Sequence, residues 1–296
     1  MLATTRSVIR FIWNHPANRG KRLSQLLRAA WFQLTARLWQ RRACVSIGHH
    51  GGRIWVDRHR TAATKALYAN PPDWPQMLVW EQVLGPGDLF IDVGANVGTY
   101  SVLCARVGAF VIAVEPAPET AALLRQNVAL NGACIEVVEA LVGNEVGQAR
   151  FTTGQDTVNR VDPAGSLTLP MTTLDQIIAS RTVKGIKLDI EGFELEALRR
   201  AHVALREQRI GLLQLEWNDL ADRRPIAELL SRSGYQLFAA TARDRFTVAL
   251  TPADPLRTSG DLFAASPNFF DNWLGPPLTI TCSSGSQRRH RLGHSA

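Results

Sequence analysis

The sequence predicts a doubly wound α/β fold built on a mainly parallel sheet. Three observations carry that prediction. Short apolar runs recur at Leu89–Val93, Phe110–Val114, Ile135–Val138, Ile186–Ile190 and Leu212–Leu215, most of them too continuous for strands with one wet face. Helical patterns fill the gaps at Ser101–Val107, Pro118–Leu130, Phe193–Leu205 and Pro225–Ser233, so strands and helices alternate. A glycine loop, Gly94 to Gly98, follows the first run, where sheets of this class take their ligands.

Taken in order, the chain opens with a basic arm over residues 1–47. Residues 1–60 hold twelve basic side chains against Asp57 alone, a surplus of +11 in a net charge of +7, which leaves −4 for the remainder. Met1 to Gly20 show no sustained pattern. From Leu23 onward, Leu26, Leu27, Ala30, Leu34 and Leu38 recur at helical spacing, with Arg28, Arg37, Arg41 and Arg42 mostly off that stripe. This helix can dock on its own domain, lie on a membrane surface or bind a partner, the contact running through residues 21–42.

Residues 48–265 form the sheet domain with an amino-terminal extension. The extension holds a strand at Arg53–Val56 and the turn-rich Asn70-Pro71-Pro72-Asp73-Trp74-Pro75. Asn131-Gly132 stops the helix before the third strand. Gly143 to Pro170 breaks the alternation with turn residues and a strand near Arg150–Thr153, as an insertion over a sheet edge would. Tyr235–Ala239 and Phe246–Leu250, around Arg243-Asp244-Arg245, read as an antiparallel hairpin closing the sheet. Residues 266–296 read as an irregular, disordered tail.

The totals are those of a soluble globular chain of 296 residues, 46% hydrophobic and 20% charged. Cys44, Cys104, Cys134 and Cys282 form no CxxC pair and no finger spacing, so no metal site is expected from them. They read as reduced thiols of a cytoplasmic protein. No apolar run approaches the roughly 20 residues that span a bilayer, so any membrane association would be peripheral.

The glycine loop narrows the ligand. A dinucleotide loop follows G-x-G-x-x-G, but counting from Gly94 this chain has Asn96 at the second glycine position and Thr99 at the third. The middle glycine lets backbone approach a pyrophosphate, so its loss argues for a ligand without one. S-adenosylmethionine fits, with Asp92 near its ammonium and sulfonium, Gly94 and Gly98 permitting close approach, and Asn96 donating to its carboxylate. Glu115 ends the second strand, 23 residues beyond Asp92, and suits the ribose hydroxyls. Leu141, at the end of the third strand, is placed to pack on the adenine.

With these residues in view, the chain resembles the FkbM family of S-adenosylmethionine-dependent methyltransferases. The resemblance rests on Phe90 to Gly98, Val114-Glu115-Pro116, Thr172-Thr173-Leu174-Asp175 and Ile186-Lys187-Leu188-Asp189-Ile190-Glu191-Gly192-Phe193-Glu194, and covers roughly residues 75–250. It implies a Rossmann-like class I methyltransferase sheet and O-methylation of a hydroxyl on a sugar or glycan or a secondary metabolite. The proline turn at Asn70 also invites comparison with the NPPY-type motif of amino-group methyltransferases, but Asp73 replaces its aromatic residue.

An alcohol acceptor needs its proton removed as it attacks, hence a nearby base. No histidine sits at a predicted strand end: His202 lies within a helix, and His49, His50 and His59 precede the sheet. The catalytic candidates are therefore Asp189 and Glu191, with Glu216 as a third acid on the substrate side. Capping of the next helix is the competing role for Glu191 and Glu194. A carboxylate base and a divalent metal held by carboxylates both stay open. Two rival functions are a nucleic-acid methyltransferase, disfavoured by the negative sheet domain, and a non-catalytic cofactor-binding assembly protein.

Overall fold

The computed structural model describes residues 2–39, 42–57, 61–152, 162, 164–190, 192–217, 220–244, 246–258, 260–269, 279–281 and 287–288. The arm forms two helices, α1 (Leu2–Asn14) and α2 (Arg22–Trp39), joined through a 3-10 turn at Pro16–Asn18. Sequence reading passed over α1, although Val8, Ile9, Phe11, Ile12 and Trp13 share one broad apolar face opposite Arg6 and Arg10. Ile12 points into the core while Ile9 and Trp13 point out. Asn18 clasps the arm to the domain, its buried Nδ2 donating to Ile12 O at 3.1 Å and Tyr68 O at 2.8 Å.

The second helix lies where the leucine spacing puts it, and it docks on the domain. Ala29, Phe32 and Ala36 are the buried side, and Leu23, Leu27 and Leu34 are exposed. Leu23, Leu27 and Leu34 form a second apolar face, while Leu26 of the same stripe packs against the core.

A hairpin follows, β1 (Ala43–Ile47) with β2 (Gly52–Val56), then α3 (Thr61–Tyr68) and α4 (Gln76–Val83). The parallel sheet begins with β3 (Leu89–Val93), α5 (Thr99–Val107), β4 (Phe110–Val114), α6 (Pro118–Asn131) and β5 (Ile135–Val138). Between the halves lie β6 (Leu141–Val142), β7 (Gly147–Phe151) and β8 (Leu167–Thr172), a separate small sheet in the order β6-β8-β7. This is the insertion the turn residues announce. The second half runs through α7 (Leu174–Ile178), β9 (Val183–Leu188), α8 (Glu194–Arg200), α9 (His202–Arg206), β10 (Ile210–Leu215) and α10 (Leu220–Arg232). The last strands are β11 (Gln236–Ala242), β12 (Val248–Pro252), β13 (Leu262–Ala265), β14 (Thr279–Thr281) and β15 (Gln287–Arg288).

Among the described residues the main sheet has the order β15-β14-β12-β11-β13-β10-β9-β3-β4-β5. Strands β5, β4, β3, β9 and β10 are parallel, which confirms the doubly wound reading. The predicted hairpin is β11 and β12, yet β13 enters antiparallel between β10 and β11. Residues 279–281 and 287–288 of the tail add edge strands.

Alternation along the central strands sorts the core onto two faces. Ile91, Val93, Ile186, Leu188, Leu213 and Leu215 pack one side, while Trp80, Phe90, Val102 and Leu212 pack the other. On that second side a polar row crosses three neighbouring strands at one register, Asp92 beside Lys187 beside Gln214.

Candidate functional site

The glycine loop leaves β3 at the carboxyl edge and enters α5. Gly94 has φ +79°, and a Cβ there would lie 1.8 Å from the Asp189 carbonyl oxygen, so only glycine passes the end of β9. Gly98 has φ +88°, and its Cβ would meet Leu124 of α6 at 2.4 Å. Asn96 is left-handed at φ +51°, a conformation Asn tolerates, and its Oδ1 accepts from Val97 N at 2.8 Å. Glu115 stands across the loop, accepting from Asn96 N at 2.9 Å and Ala117 N at 3.0 Å. Loop and edge acid are thus one hydrogen-bonded unit.

Asn127, on α6, steadies that unit from behind. Its buried amide donates to Val97 O at 2.8 Å and accepts from Trp55 N at 2.8 Å, which ties the loop to β2. Sequence reading passed over it, since an Asn within a helix carries no local signal of a distant loop.

Two of the residues expected near the cofactor have enclosed side chains. Asp92 is 1% exposed and turns inward, accepting from Ser101 Oγ at 2.6 Å and facing Lys187 Nζ at 4.0 Å. Burial raises its pKa, against the pull of Lys187. Leu141 is buried with Phe151, Leu169 and Met171 in the small sheet's own cluster. Glu191 lies outside the described residues.

Beside the loop is a pocket of about 340 Å³ whose acids are Asp73, Asp189, Glu216 and Asp261. Asp189 belongs to both places, its carbonyl against Gly94 and its side chain in the pocket. Lys187 Nζ donates to Asp189 Oδ2 at 2.7 Å and sits 4.9 Å from the Tyr100 ring centroid. Burial works against the lysine charge, but Asp189 and Asp92 more than offset it and hold its pKa above the ordinary value. Burial likewise opposes the Asp189 charge, and Lys187 outweighs it, so the carboxyl is held below its usual range. Asp189 also shares a hydrogen bond with Glu216.

Asp261, just before β13, is the acid the sequence did not single out. Gln214 orients it: the amide accepts from Trp80 Nε1 and donates to Tyr100 Oη at 3.2 Å and to Asp261 Oδ2. Burial pushes the Asp261 carboxyl up to about 6, the Gln214 hydrogen bond opposing. A glutamine inside the apolar run Leu212–Leu215 was the available signal.

The remaining wall comes from the arm and the proline turn: Phe11, His15, Pro72 and Trp74. His15 has both ring nitrogens engaged, Nδ1 accepting from Ala17 N at 3.2 Å and Nε2 donating to Pro72 O at 3.1 Å, which fixes the tautomer by its partners. Burial lowers its pKa. It holds the wall rather than offering a free lone pair. Glu194 also has a structural task, accepting from Ile190 N at 2.9 Å and Gly192 N at 3.0 Å to shape the loop after Asp189. Among the described residues, no group of three His, Cys, Asp or Glu is arranged to hold a metal ion.

A parallel sheet with this loop, this edge acid and a pocket at its carboxyl ends is the Rossmann-like arrangement for a nucleoside-bearing ligand. Residues 92–237 match the methyltransferase FkbM domain. The hexuronic acid methyltransferase AglP of Haloferax volcanii is 28% identical over 152 residues, which cover 49% of this chain and 62% of that protein. Among solved structures, the human methyltransferase 10 domain containing protein aligns with a TM-score of 0.45 at 16% identity, covering 82% of this chain and 96% of that one. The precorrin-6y C5,15-methyltransferase of Geobacter metallireducens aligns with a TM-score of 0.41 at 13% identity, covering 64% and 87%.

Proposed function

We propose that the chain is an S-adenosylmethionine-dependent O-methyltransferase acting on a hydroxyl of a sugar or glycan. The observation that carries the reading is the sharing of Asp189 between the glycine loop and the acid-lined pocket. Cofactor and acceptor would meet there. Asn96, Gly94, Gly98 and Glu115 would hold the cofactor, whose sulfonium supplies an electrophilic methyl group and leaves as a neutral thioether. Asp92 acts behind them by fixing Lys187.

The pocket suits a polyhydroxylated ring. Carboxylates accept hydrogen bonds from hydroxyls, and the Trp74 and Phe11 rings offer apolar faces beside them. Asp189, kept ionised by Lys187, would orient an acceptor hydroxyl together with Glu216. Asp261, with its carboxyl pushed up to about 6, suits removal of the hydroxyl proton at neutral pH. Lys65 also lines the pocket and would match a uronate carboxylate, in keeping with the relative whose name specifies hexuronic acid.

The test is calorimetry with S-adenosylmethionine on the full chain and on Glu115→Ala, followed by transfer of labelled methyl to uronic and neutral sugars. Binding that the substitution abolishes, with transfer to a sugar hydroxyl, supports the reading. A folded wild-type chain that binds no S-adenosylmethionine overturns it.

A further inference from the structure

We infer that the outer face of α1 and α2 docks on a membrane surface bearing anionic lipids. Most of the large apolar side chains exposed among the described residues lie there: Ile9, Trp13, Leu23, Leu27, Trp31 and Leu34. Four of them, at 23, 27, 31 and 34, share one face of α2 by the helical period, over about 17 Å of helix length. Leu27 is 72% exposed and Trp31 66%. The helix cannot hide them by rotating, because its other side, Ala29, Phe32 and Ala36, already packs on the domain. Arg22 stacks over the Trp13 ring at 5.3 Å, which joins the apolar faces of the two helices at their corner.

The charge around this face chooses the occupant. Arg6, Arg10, Arg19, Lys21 and Arg28 are exposed, and no acid occurs before Asp57. Leucine and tryptophan on a rigid helix, rimmed by uncompensated cations, is the composition of a helix lying in the lipid interface. None of the described helices is long and apolar enough to cross a membrane, so the contact is lateral. The surface stands apart from the methyl-transfer reading. It does have a consequence for it: Phe11 of α1 and His15 just after that helix stand in the pocket wall, so a docked arm holds the pocket within about one helix diameter, ~10 Å, of the bilayer.

The test sediments the full chain with vesicles of phosphatidylcholine alone and with about 30% phosphatidylglycerol. Binding at least about ten-fold stronger to the anionic vesicles, and weakened by high salt, is expected. Leu27→Glu with Trp31→Glu should lose that binding at an unchanged unfolding midpoint, since both side chains are exposed. Arg10→Gln with Arg28→Gln should weaken only the anionic preference. Absence of the chain from anionic vesicle pellets overturns the inference, as does binding that survives both pairs of substitutions. A dimer by light scattering that Leu27→Glu dissociates, without vesicle binding, would give the face to a second copy instead.

Discussion

Asp92 and Lys187 are register partners on adjacent parallel strands, and their charges face each other at 4.0 Å inside the sheet. The lysine is shared, since Asp189 two residues along the same strand end takes its hydrogen bond at 2.7 Å. One buried cation thus serves a structural acid behind the glycine loop and a pocket acid in front of it.

Lys187→Met should therefore be costly. It would leave the enclosed Asp92 carboxylate without its cation, a change worth about 3–5 kcal/mol when one partner of a buried pair is removed. Urea unfolding at neutral pH measures the loss. Asp92→Asn added to Lys187→Met should restore part of the stability, because the orphaned charge is gone.

The same row shows what the sequence could and could not reveal. Asp92, Lys187 and Gln214 are polar residues interrupting apolar runs, and period-two counting puts each on a definite face. The five parallel strands were legible for that reason, as was Glu115 at an apolar strand's end. Asp261 and the insertion of β13 between β10 and β11 were not, because pairing between strands distant in sequence leaves no local mark. The pocket wall from Phe11, His15 and Asp73 was hidden in the same way. Which side of α2 packs stayed open, because two apolar faces on one helix look like a single broad stripe until one of them is seen packed.

Gly94→Ala and Gly132→Ala should separate strain from collision. Both glycines have positive φ, but a Cβ at Gly132 meets nothing within 4 Å, whereas at Gly94 it would overlap the Asp189 carbonyl. Gly132→Ala should cost about 1–2 kcal/mol, the left-handed penalty alone. Gly94→Ala should cost more than that and weaken S-adenosylmethionine binding, read by calorimetry and thermal unfolding on the same preparations.

Asn18→Ala should loosen the arm. Its amide makes two buried hydrogen bonds, to Ile12 O and Tyr68 O, and removal strands both acceptors at about 1–3 kcal/mol in total. Limited proteolysis should then cut between α1 and α2 faster than in the wild type, with the sheet domain left intact. Equal cleavage rates would mean that Phe11 and Ile12 packing holds the arm unaided.

Asp261→Asn should trade activity for stability. A carboxyl raised from an ordinary 3.8 to about 6 binds its proton more tightly in the folded state. Its contribution is therefore fully present below the unfolded value and lost as pH rises through about 6, so the ionised group opposes folding at neutral pH by on the order of 3 kcal/mol. Asparagine carries no charge and keeps an oxygen for the Gln214 donor. The variant should unfold at higher temperature than the wild type at pH 8, with the gap narrowing toward pH 5. If Asp261 is the base, methyl transfer should fall about 100-fold or more in the same variant, and the wild-type rate should rise with pH through about 6. A variant that gains stability yet keeps full activity and the same pH profile would pass the proton to Glu216, which shares the pocket.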